Sequence, residues 1–104
     1  MKKLFVSQPM RGKTDEEILT ARKMAIESAE RNFGEKFEVI ESFFQNEESP
    51  ENALRPLWFL GKSLELLATA DVAYFAKGWE AARGCRIENE CAIEYGITVI
   101  ESYE

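Results

Sequence analysis

Of the three glutamates in RIENECAIE, Glu88 is set apart by its helical position. It shares a face with Cys91, Ala92 and Tyr95, whereas Glu90 and Glu94 form an i, i+4 pair turned elsewhere. A carboxylate on the inward face loses hydration, and its pKa rises unless a cation or a bound molecule compensates. Arg11 and Arg83 are the expected partners. Such a group either closes a buried ion pair or does chemistry, and the chemistry open to it is attack on, or stabilisation of, an electron-poor carbon.

Two loops accompany it. QPMRGKT leaves an apolar run and enters a helix, so backbone N–H groups near Gly12, with the positive helix end and the Arg11 guanidinium, suit a phosphate or carboxylate. The competing reading is a surface turn with solvated cations. KGWEAARG is the second loop, and the two together place Gln8, Met10, Arg11, Gly12, Gly78, Trp79, Arg83 and Gly84 around a candidate ligand. Trp79 and Trp58 offer apolar walls for a flat base, or simply fill the core. Cys85, near a helix N-terminus, has the setting of an activated thiol. The chain has no histidine to pair with it, so an ordinary small residue is the simpler account.

Composition narrows the field further. Thirteen basic against nineteen acidic residues give a net charge of -6, which repels a nucleic-acid backbone, so a small molecule is the expected partner. Without histidine the commonest transition-metal ligand is missing, and neither metal nor cofactor is expected. Cys85 and Cys91 lie roughly 9 Å apart along one helix axis, too far for a disulfide, and read as free thiols of a reducing compartment. The opening MKKLFVSQPM turns polar too early for a signal peptide, and no apolar run is long enough for a membrane span. A cytoplasmic protein is expected.

These residues need a scaffold, and 104 residues at 45% apolar supply one domain, residues 1–104. Lys3 to Ser7 reads as a buried strand ended by Gln8-Pro9. Thr14 and Glu17 form a capping-box pair opening a helix whose inner face is Ile18, Ala21, Ala25, Ala29 and Phe33, with Gly34 as its stop. Lys36 to Ile40 is a second strand, and Gln45 to Asn52 an exposed loop. A helix from Pro56 presents Leu57, Leu60, Leu64 and Leu67, and Val72 to Ala76 is a third strand. A helix from about Gly84 to Tyr95 and a strand from Ile97 to Ile100 complete the chain. This alternation predicts an α/β fold: a three-layer, flavodoxin- or Rossmann-like sandwich around a parallel sheet of about four strands, order 2-1-3-4. Ligands of such sheets bind beyond the carboxyl ends of the strands at the switch point, here between strands one and three.

The loop QPMRGK after the first strand, the Ala70-Asp71 pair opening the third, and G-x-x-x-E-x-x-x-A in GCRIENECA together resemble the nucleoside 2-deoxyribosyltransferase-like superfamily, particularly its small phage and bacterial members of unknown function. The resemblance spans nearly the whole chain and is most specific in GWEAARGCRIENECA. It implies that Glu88 attacks the anomeric carbon of a deoxyribosyl group, and that Arg11 and Gly12 meet a 5'-phosphate, as in the nucleotide N-hydrolase branch. It implies a homodimer or higher homo-oligomer, for which the aromatic helix around Trp58 and Phe59 is the candidate interface. The chain departs from the pattern at four places. Phe5 stands for the tyrosine that positions the glutamate, Ser63 for the aspartate that handles the base, Pro9 for a phosphate-binding serine, and Ala82 for a polar residue six before the glutamate. The expected function is therefore deoxyribosyl transfer or hydrolysis at an N-glycosidic bond. The alternatives are a catalytically silent nucleotide-binding module and a simple assembly protein.

Overall fold

The computed structural model describes residues 1–42 and 48–102. A four-stranded parallel sheet in the order β2-β1-β3-β4 forms its centre, as the alternation of elements predicts. The strands are β1 (Lys3–Ser7), β2 (Glu38–Val39), β3 (Val72–Phe75) and β4 (Thr98–Glu101). Helices α1 (Asp15–Phe33), α2 (Arg55–Leu67) and α3 (Arg83–Glu94) connect them. β2 pairs over only two residues, fewer than the five of the run Lys36 to Ile40.

Strand parity decides what each helix covers. Leu4 and Val6 of β1, with Val72 and Tyr74 of β3, pack on Ala25 and Ala29 of α1. The intervening Phe5, Ala73 and Phe75 face the opposite layer, where Leu67 of α2 and Cys85 and Ala92 of α3 meet them. Both faces are thus buried, which is why these strands read as continuous apolar runs rather than alternating ones. The register Leu4↔Val72 through Ser7↔Phe75 aligns the carboxyl ends of β1 and β3. Ser7 shares the parity of Phe5 and therefore points to the α2–α3 side.

Helix boundaries follow local chemistry. Thr14 Oγ1 accepts from the Glu17 N–H and the Glu17 carboxylate accepts from the Thr14 N–H, the reciprocal pair foreseen from spacing. Gly34 ends α1 at φ 69°, a left-handed conformation that costs a side-chain-bearing residue energy. Two apolar faces differ from their sequence reading. On α1 the inward set includes Arg22, which the pattern of small and apolar residues passes over. On α2 Leu67 is buried and Leu60 and Leu64 half-buried, but Leu57 is exposed, and Leu60 borders a cavity. Of the loop expected at Gln45 to Asn52, residues 45–47 lie outside the described residues, and most of the remainder is exposed. No helix among the described residues is long and apolar enough to cross a membrane.

Candidate active site

Glu88 lies in the second turn of α3 and is 7% exposed, so the inward reading of this carboxylate holds. The buried face is Cys85, Glu88, Asn89 and Ala92; of the expected inward set Ala92 is buried with Glu88, whereas Cys91 is half-buried and Tyr95 is 85% exposed. Tyr95 caps the helix end, beyond the last turn that reaches the sheet.

Among the described residues Glu88 has no cationic partner. Among the described residues neither Arg11 nor Arg83 forms an ion pair with it, and both are exposed. Instead the Ser7 hydroxyl donates to its Oε1 at 2.6 Å, and Ser63 of α2 makes a second hydroxyl contact. Burial holds the Glu88 pKa above the ordinary carboxylate value, and the two hydroxyls oppose that rise. Three elements thus converge on one carboxylate: β1 through the parity of Ser7, α2 through Ser63, and α3 itself.

Phe5 is 1% exposed, sealed in the α2–α3 core, and brings no hydroxyl to the site. Two residues further along the same strand and on the same face, Ser7 supplies a hydroxyl donor to the carboxylate. The signal for this was present in the sequence as a polar residue closing an apolar run. Its partner could be named only once β1 and α3 were docked.

The space around Glu88 has two compartments. One, of about 320 Å³, runs along α2 past Ser63, Leu60, Phe59, Pro56 and Arg55. The other, of about 630 Å³, lies between the two loops and the start of α3, where Gln8, Met10, Arg11, Gly78, Arg83 and Gly84 line it. Met10, Ser42, Ser63, Gly84 and Glu88 border both, so the carboxylate stands at their junction. Gly78 adopts φ +87°, a left-handed conformation that favours glycine, where its loop passes the Pro9 ring.

Other sequence candidates fall differently. Trp79 is 8% exposed and packs its ring against Phe75 at 5.7 Å, in the core behind the cavity rather than on its wall. Trp58 stacks edge-on with Phe59 and lies under Lys62, and it is Phe59 that faces the cavity. Sequence reasoning placed Phe59 only in an interface; the i, i+4 spacing from Phe59 to Ser63 would have put both on one helical stripe. Gly12 adopts φ 79° in its loop, and the residues that line the larger compartment there are Pro9, Met10 and Arg11 rather than Gly12. Cys85 is not an activated thiol, since burial pushes its pKa to about 11 despite a Ser7 hydrogen bond, and the nearby Glu88 charge adds to the rise.

The helix end suited to an anion also changes. At α1 the capping box occupies the Thr14 and Glu17 N–H groups, and Asp15, Glu16 and Glu17 make the first turn acidic. The start of α3 has neither a side-chain cap nor an acidic first turn, and Arg83 and Arg86 stand beside it on the cavity. Ala82, without a polar side chain, leaves those N–H groups open to the cavity rather than to an internal cap.

Compared with protein-family models the chain matches none, and no curated protein matches it.

Proposed function

We propose that this chain acts on the N-glycosidic bond of a nucleoside or nucleotide, with Glu88 as nucleophile at C1', in keeping with its resemblance to the nucleoside 2-deoxyribosyltransferase-like superfamily. The observation that carries the proposal is the carboxylate at the junction of two compartments. A nucleotide has the same bipartite form, a flat base and a sugar phosphate joined at one carbon. The compartment along α2, with Phe59 and Leu60, suits the base, and the one at the start of α3, with Arg11, Arg83 and Arg86, suits the sugar and its phosphate.

In the proposed reaction the C1'–N bond breaks with its electron pair passing to the base, while a Glu88 oxygen bonds to C1'. Water, or a second base in a transfer reaction, then attacks C1' and regenerates the carboxylate. The proton released by the attacking group goes to the departed base. Ser7 and Ser63 aim the carboxylate, and Ser7 takes over the positioning duty of the missing tyrosine. The two free thiols fit a reducing, cytoplasmic setting. Exposed Leu54 and Leu57 beside Trp58 make the start of α2 the face for self-association.

Incubation of the chain with deoxynucleoside monophosphates, followed by chromatography of free bases, tests the proposal. Base release that disappears in Glu88→Gln is expected, and release unchanged in that variant would refute it. A second reading, a nucleotide-binding module without turnover, is favoured by Ser63 in the place of a base-handling aspartate. Nucleotide binding by calorimetry with no base release at any pH would select it.

A further inference from the structure

The far end of the compartment along α2 carries a feature that the proposed reaction does not by itself require. Arg55, Phe59 and Ser63 are spaced i, i+4, i+8, so they form one stripe of about 12 Å along the helix that ends at Glu88. The Arg55 guanidinium lies over the Phe59 ring, 4.7 Å from its centroid, and both line the cavity. Among the described residues no carboxylate pairs with Arg55. The contact with the aromatic face holds the guanidinium at the cavity, where its five N–H donors are available to a ligand.

Resting on the N-glycosidic reading, we propose that Arg55, held by Phe59, selects nucleobases that present a carbonyl oxygen, the oxo bases, over those that present an amino group at the same position. A guanidinium has five donors and no acceptor. It pairs with the O6 and N7 edge of an oxopurine or the O4 of an oxopyrimidine, and it opposes an exocyclic amino group donor to donor. The same contact serves departure of the base. The electron pair left by the C1'–N bond delocalises onto the carbonyl oxygen, where a fixed positive charge stabilises it until water returns the proton. Ser63, which both donates and accepts, does not discriminate, so the choice falls to Arg55.

Matched pairs that differ only in oxo against amino provide the test: dIMP against dAMP, and dUMP against dCMP. Base release and calorimetric binding are measured for the full chain, for Arg55→Met, which retains apolar packing on Phe59, and for Glu88→Gln. The wild-type chain should favour the oxo member of each pair by about tenfold to a hundredfold. Arg55→Met should collapse that ratio toward one by lowering the oxo values and raising the amino values, and Arg55→Lys should restore part of it. Equal handling of the two members, or an equal fall for both in Arg55→Met, overturns the oxo-base assignment and leaves the N-glycosidic reading standing. An oxo preference in binding that Arg55→Met removes, without base release, upholds the assignment and refutes turnover. Neither binding nor release with any of the four refutes both.

Discussion

Replacing Ser7 by alanine should detune Glu88 without disturbing the fold. Ser7 is 2% exposed and Glu88 7%, so the bond is made away from bulk solvent. The bond removed is a short one, 2.6 Å from oxygen to oxygen, to a buried carboxylate. Hydrogen bonds to charged groups contribute about 1.5–3 kcal/mol, and here that stabilisation is confined to the ionised form. Ser63 remains as a second donor, but its contact comes from a half-buried helix position and replaces none of the loss. Glu88, already held above the ordinary carboxylate range by burial, should therefore titrate at still higher pH in Ser7→Ala. Titration of the Glu88 side-chain carboxyl carbon by NMR reads this directly. If activity follows the ionised fraction, the acid limb of the pH–rate profile falls about tenfold to a hundredfold, while the alkaline plateau changes far less. A carboxyl that titrates at an unchanged or lower pH would refute the assignment of Ser7 as the residue that tunes Glu88.

Two further outcomes follow from burial. Because its folded pKa is raised, the folded chain keeps the Glu88 proton at pH values where the unfolded chain has released it. This contribution to stability is fully present below the ordinary carboxyl value of 4.5 and is lost as pH rises through the folded value. Glu88→Gln should remove that slope and gain on the wild type above it, whereas parallel urea-denaturation curves across pH would contradict the argument. Arg22 is 7% exposed and donates to Ser42 Oγ at 3.0 Å and to the Ile40 carbonyl at 2.7 Å. Arg22→Met should cost about 2–4 kcal/mol by leaving both acceptors short of a donor, measured in urea, and a loss below about 0.5 kcal/mol would mean that water replaces the guanidinium.

The sequence by itself determined the order of elements, the parallel sheet and the inward position of Glu88, because these rest on local signals. Thr14 and Glu17 cap each other three residues apart, Gly34 stops a helix, and alternating strands and helices leave few topologies. Tertiary structure decided what meets Glu88. Ser7 is 81 residues away in sequence and reaches it only because β1 and α3 pack on the same side of the sheet, and Ser63 arrives by the independent placement of α2. Periodicity reports which side of an element is buried but not what lies opposite it, so the expected arginine partners gave way to hydroxyls. The same limit left Arg22 and Phe59 unread: one is a charge buried because two acceptors happen to face it, the other an aromatic turned to a cavity rather than the core. Chain-local spacing fixes direction, and only docking of distant elements fixes contact.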